Sequence, residues 1–170
     1  MPKLLEVEFN LYDFVKYVTT HPSRTRDVWK DAKQSIHLDQ CENRGSTPTF
    51  AKNHIQDLKA VFSPQNVISL VMFCGMTDQS RSFDIHCDGM DVFYVQVEGK
   101  ITWEIWESIN DTQSSKLTYE NARLVSEQFM EPGDAVWVPR YTYHQVIPHT
   151  APRVGYSFGV EKGPDPSTYV

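Results

Sequence analysis

Long apolar runs are missing from this 170-residue sequence. Its most apolar stretch, Val67 to Phe73, stops well short of the ~20 residues that a membrane-spanning helix needs, and no charged-then-apolar signal segment is evident at its start. Cysteine is scarce: Cys41, Cys74 and Cys87 are the only three, they form no Cys-x-x-Cys, and they cannot all pair with one another. This excludes a disulfide-stapled scaffold and points to a reducing, cytoplasmic setting. Dense basic runs are missing too. The chain has 16 Lys and Arg against 22 Asp and Glu, a net charge of −6. Where basic residues do gather, at Arg24, Arg26, Lys30 and Lys33, Asp27 and Asp31 interrupt them, as on a solvated helix face or loop. A surface built to neutralise phosphates is therefore not indicated, which argues against a nucleic-acid partner. There is no internal repeat and no linker-like segment, so one domain over residues 1–170 is expected.

What is present fits a folded protein, with 40% hydrophobic and 22% charged residues. Residues 4–9 alternate weakly, as an edge strand would. Asn10 caps a helix over Leu11 to Thr20, where Leu11, Phe14, Val15 and Val18 recur at helical spacing, and His21-Pro22-Ser23 ends it. The polar stretch Ser35 to Thr49 reads as a loop or substrate-facing lid. A second helix falls between Ser46 and Phe62, with Phe50, Ile55, Leu58, Val61 and Phe62 near one face. After Ser63-Pro64 the chain turns to short β-branched runs: 67–73, 83–88, 91–98, 101–106, 124–130, 135–138, 142–147 and 154–160. Glu98-Gly99-Lys100 makes a tight turn and Asn110 to Ser115 a loop. Helices first, then many short strands, predict a mostly β sandwich or barrel with an N-terminal helical cover over about 1–65 and a β core over about 66–162. The tail from Gly163 to Val170 is expected to be loosely held.

The chemistry concentrates at His86-Cys87-Asp88. In an extended segment, alternate side chains share a face, so His86 and Asp88 point the same way and Cys87 points away, as a small buried residue. An imidazole and a carboxylate side by side are two members of a 2-His-1-carboxylate metal site. His144 is the candidate third. Taken alone, each piece also reads as ordinary hydrogen-bonding surface. Pro132-Gly133 reads as a β-turn, Asp134 as its hydrogen-bonding partner and His149 as a loop histidine.

Two spaced motifs agree in order and separation. His86-x-Asp88, the strand Asp91 to Gln96, Gly99 and Trp103 form the first; Pro132-Gly133-Asp134, Pro139 and His144 form the second. Together they resemble the cupin-fold, JmjC-type oxygenases that use iron and 2-oxoglutarate. The resemblance implies a double-stranded β-helix, or jelly roll, with His86, Asp88 and His144 as catalytic iron ligands facing its interior. It places the first eighty residues by position only. Zinc could use the same three side chains.

One position departs from that family. The lysine or arginine two residues after the turn glycine, which pairs with the distal carboxylate of 2-oxoglutarate, is Ile101 here. Alternation turns Ile101, Trp103 and Ile105 inward and Lys100 outward. A dianion in a desolvated pocket still needs a cation. Arg153, nine residues after His144, resembles the arginine that forks onto 2-oxoglutarate in the prolyl-hydroxylase branch of the superfamily, with Ser157 and Tyr94 as added hydroxyls. Arg153 is expected to serve the co-substrate and not the metal. The reading is an Fe(II)- and 2-oxoglutarate-dependent hydroxylase or demethylase acting on a small molecule or a protein side chain. The alternatives are a metal-dependent cupin enzyme that needs no 2-oxoglutarate, favoured by Ile101, and a non-catalytic ligand-binding cupin. Nothing in the sequence specifies the prime substrate or an oligomeric state.

Overall fold

A computed structural model of the chain describes residues 9–20, 25–26, 35–38, 41–43, 49–62, 66–109 and 117–161. The expected strand at 4–9 (apart from Phe9), the loop at 110–115, the tail at 163–170 and all of 21–33 except two residues lie outside that set. Among the described residues, no helix is long and apolar enough to cross a membrane.

Helix α1 (Leu11–Thr20) starts where expected. Asn10 Oδ1 accepts from the Asp13 amide at 3.2 Å, and Asp13 Oδ2 accepts from the Asn10 amide at 3.2 Å, a reciprocal cap that satisfies two otherwise orphaned donors. Its buried side chains are Phe14 and Tyr17; Val15 faces outward, against expectation. Helix α2 (Thr49–Phe62) buries Ala51 and packs Ile55 and Leu58 on the core, which is the i, i+4, i+7 stripe of a single face. Val61 falls off that stripe and is exposed.

The strands are β1 (Thr25–Arg26), β2 (Ile36–Leu38), β3 (Val67–Gly75), β4 (Asp91–Glu98), β5 (Ile101–Ser108), β6 (Ala122–Met130), β7 (Ala135–Val138), β8 (Tyr143–Pro148) and β9 (Arg153–Glu161). They form two antiparallel sheets, one of six strands in the order β1-β2-β3-β9-β4-β7 and one of three in the order β6-β5-β8. The loop or lid expected at 35–49 is corrected in part; residues 39–40 and 44–48 lie outside the described residues. Ile36 and Leu38 alternate inward as β2, paired with β3, and Cys41–Asn43 is a 3-10 turn with Cys41 buried.

Period-two alternation on the large sheet creates two interiors. Val154, Tyr156, Phe158 and Val160 of β9, with Ile68, Leu70, Met72 and Cys74 of β3, pack under the helices. The intervening residues, Arg153, Ser157 and Gly159 with Ser69, Val71 and Phe73, face the small sheet and line a cavity. Burial on both faces explains why β9 reads as a run with little polar relief. Two turn glycines carry the expected positive φ, Gly99 at 81° and Gly133 at 94°. Asp134 Oδ2 accepts from the Glu131 amide at 2.8 Å, so it holds the turn as anticipated.

Candidate metal centre and pocket

The segment carrying His86 and Asp88 is not the strand expected at 83–88. Its one β feature is an isolated bridge in which His86 N donates to His144 O at 3.1 Å and His144 N donates to His86 O at 2.8 Å. A little further along, the Tyr141 amide donates to Asp88 O at 2.8 Å. Backbone pairing therefore sets the two histidines directly opposite each other, and their rings lie 4.4 Å apart, centre to centre. Cys87 is free and half-buried, more exposed than the sequence implied.

One ligand atom from each of His86, Asp88 and His144 lies within 4.8 Å of the others, and His144 Nε2 is 3.5 Å from Asp88 Oδ2. The hydrogen bonds fit ligation. His86 Nδ1 meets the Asp84 carbonyl at 2.8 Å and His144 Nδ1 meets the Thr142 carbonyl at 2.9 Å. A carbonyl can only accept, so each Nδ1 carries the proton and each Nε2 keeps its lone pair for a metal. Burial lowers the pKa of His144 below the usual histidine value, and the neighbouring His86 pushes the same way; the Thr142 carbonyl and Asp88 oppose them. His144 is thus neutral and competent to ligate at neutral pH. Trp103 stacks on it at 5.1 Å, fixing the ring plane.

The three side chains open onto a cavity of about 210 Å³ walled by Val71, Phe73, Met90, Val92, Trp103 and Val146, and Tyr94, Arg153 and Ser157 line it too. The residues proposed for metal and co-substrate therefore share one pocket. Tyr94 and Ser157 sit opposite each other in the β4–β9 register. Tyr94 Oη donates to Gln96 Oε1 at 2.6 Å, and burial raises its pKa to about 12, so it stays a neutral phenol. Gly155 makes this possible, because a Cβ there would run into the Tyr94 ring and hydroxyl. Gly155→Ala should overpack this layer and destabilise the fold by about 1–3 kcal/mol, read as a lower denaturant midpoint.

Arg153 is 2% exposed. Among the described residues no carboxylate pairs with it, and the groups acting on its charge are Tyr94 and Cys74. A buried cation at a cavity wall without an anion of its own is a fitting place for an anionic ligand. The two-bond fork expected from Arg153 is nevertheless spent largely on protein. Nε donates to Ser80 O at 3.3 Å, and Nη2 reaches Ser80 O at 3.1 Å, Ser82 Oγ at 2.9 Å and Ser35 Oγ at 2.5 Å. Those serines were missed in the sequence. A signal was there in the Ser82 hydroxyl just before the His-x-Asp, but the stretch reads as an ordinary polar turn, and Ser80 accepts through its carbonyl, which any residue offers. Ile101 is fully buried on the inner face and Lys100 lies outside, on Glu131 at 2.5 Å, as alternation required. His149 bonds Thr102 Oγ1 at 2.7 Å, away from the site. A second group outside the prediction is the Asp91 carboxylate, which accepts from the Arg140 amide at 2.8 Å and from its guanidinium at 3.3 Å, pinning the turn that leads to His144.

Two antiparallel sheets enclosing an inward-facing His-Asp-His define the jelly-roll class of mononuclear metal proteins. The chain belongs to the JmjC domain family, whose model matches residues 49–165. It is 31% identical over 75 residues to the bifunctional lysine-specific demethylase and histidyl-hydroxylase NO66 of Drosophila erecta, a match covering 40% of this chain and 11% of that protein. Among solved structures, YcfD of Escherichia coli superposes with a TM-score of 0.59 at 16% identity, over 78% of this chain and 34% of that one. The ribosomal oxygenase YcfD in complex with cobalt and 2-oxoglutarate gives 0.57 at 19% identity, over 79% and 33%. The chain thus spans about a tenth of the curated relative's length and about a third of YcfD's.

Proposed function

We propose that this chain is an Fe(II)- and 2-oxoglutarate-dependent oxygenase domain acting on a protein side chain. The observation that carries the reading is the sharing of one cavity by the His86, Asp88 and His144 ligand atoms and a buried Arg153 with no carboxylate partner among the described residues. His86, Asp88 and His144 would hold the metal on one side, leaving the pocket side for small ligands. Bound iron and 2-oxoglutarate supply the oxidising chemistry; the protein's part is to position them and to keep water out. Arg153 would face the distal carboxylate, with Ser157 and Tyr94 beside it. The apolar walls exclude water from the reacting end. A protein side chain as acceptor is supported by the activities named for NO66 and by the description of YcfD as a ribosomal oxygenase.

An anaerobic titration with Fe(II) and then 2-oxoglutarate should produce the weak visible charge-transfer band of the chelate. Admitting oxygen should then convert 2-oxoglutarate slowly to succinate, even without prime substrate. Fe(II) binding with neither a 2-oxoglutarate response nor succinate above a metal-free control would leave a co-substrate-independent cupin enzyme. Ile101 in place of the family's cation is the observation favouring that second reading.

A further inference from the structure

The connector between Gly75 and Asp91 carries two of the three metal-site residues, yet it belongs to no strand. Its His-x-Asp end is held by the bridge to His144 and by the Tyr141 amide. Its other end is held by Arg153. The guanidinium reaches the connector at the Ser80 carbonyl and the Ser82 hydroxyl, and Ser35 braces the same place from outside, its amide on Arg81 O at 3.0 Å and its hydroxyl on Ser80 O at 3.2 Å. Nη2 has three acceptors for its two hydrogens, so this corner of the guanidinium is saturated by the clasp. The slot is shaped for it. Gly75 is the cross-strand neighbour of Arg153, and a Cβ there would come within 2.8 Å of Nε. From Ser82 the link to the metal site is one residue long, because the Phe83 ring packs on the His86 imidazole at 4.9 Å.

We infer that Arg153 is a positioning residue for the metal ligands as well as a wall of the pocket: it clasps the connector and so holds His86 and Asp88 in register with His144. The inference rests on reading those three side chains as the metal site, and it adds a second role to the co-substrate role expected of Arg153. Metal and pocket anion then share one side chain, and their binding is coupled in both directions. Lysine cannot substitute, since a single ammonium lacks the planar fork that spans Ser80, Ser82 and Ser35.

The test needs no 2-oxoglutarate. Mn(II) affinity is measured by the loss of free-ion EPR signal in the wild type, Arg153→Lys, Ser82→Ala, the Ser35→Ala/Ser82→Ala pair, and His86→Ala, with thermal unfolding of each metal-free protein in parallel. Arg153→Lys should bind Mn(II) about tenfold or more weakly, the usual effect of removing an outer support of a metal ligand. The serine pair should show a severalfold loss while its circular dichroism stays that of the wild type. Should Arg153→Lys fail to fold, the serine pair carries the test. Wild-type Mn(II) affinity in the serine pair and in any folded Arg153→Lys, alongside its loss in His86→Ala, would overturn the clasp while leaving the metal site standing. A lowered melting temperature with unchanged affinity would likewise reduce Arg153 to a purely structural role. Retained affinity in His86→Ala would instead sink the metal site itself.

Discussion

Replacing His144 with alanine is expected to abolish stoichiometric Fe(II) or Mn(II) binding, and Asp88→Ala and His86→Ala should do the same. Each would remove one of the three proposed ligands found among the described residues, and two side chains hold a divalent ion far more weakly than three. The three variants should differ in the apo state. His144 is 3% exposed and stacked on Trp103, so its loss leaves a cavity and lowers stability. The Asp88 side chain is 37% exposed, so its loss should leave the melting temperature near the wild-type value. Equilibrium dialysis with metal analysis reads the first effect, and calorimetry with chelator present reads the second. Full binding by His144→Ala would remove it from the ligand set.

The second large effect belongs to the co-substrate. At saturating Mn(II), so that the metal site is filled in every variant, Arg153→Ala should weaken 2-oxoglutarate binding by about 2–5 kcal/mol, the usual cost of truncating one partner of a buried charge pair. Lys100→Ala is the control. Lys100 is the cation nearest in sequence to the family's usual position, but it points outward, half-exposed on Glu131 and over the Phe129 ring. Surface pairs of this kind contribute about 0–1 kcal/mol, so isothermal titration should find its affinity nearly unchanged. If Lys100→Ala is the damaging variant and Arg153→Ala is silent, the assignment of the anchor is wrong. If both are silent, 2-oxoglutarate is not the occupant of this pocket.

The grouping of His86, Asp88 and His144 came from the resemblance of two spaced motifs, since His144 lies far along the chain and the strand assumed at 83–88 is absent. The facing of β5 was legible from a local rule, because Ile101, Trp103 and Ile105 against Lys100 and Thr102 leave a single sensible orientation. The Asn10 cap and the turn glycines were legible for the same reason. What was not legible is long-range. Ser35 and Ser82 meet at Arg153 across the fold, and no periodicity joins positions so far apart. The 83–88 segment misled through composition, since Phe83, Ile85 and Cys87 alternate as a strand would. Tertiary context gave it a single bridge and used its carbonyls otherwise, the Asp84 carbonyl going to His86 Nδ1. The missed β2 is the opposite case. Its three residues are too few for a pattern, and only pairing with β3 makes them a strand.

The division of β3, β4 and β9 into a helix-facing row and a cavity-facing row also bears on how the pocket can be remodelled. Ser69, Val71, Val92 and Ser157 belong to the row lining the cavity, whereas Ile68, Leu70, Tyr156 and Phe158 belong to the row under the helices. The same backbone thus separates ligand choice from scaffold integrity residue by residue. A library confined to the cavity-facing row can change the volume and polarity offered to a ligand while the helical layer keeps its packing. A single-residue insertion in β9 would exchange the rows beyond it, turning valine, tyrosine and phenylalanine toward the metal and serine and glycine toward the helices.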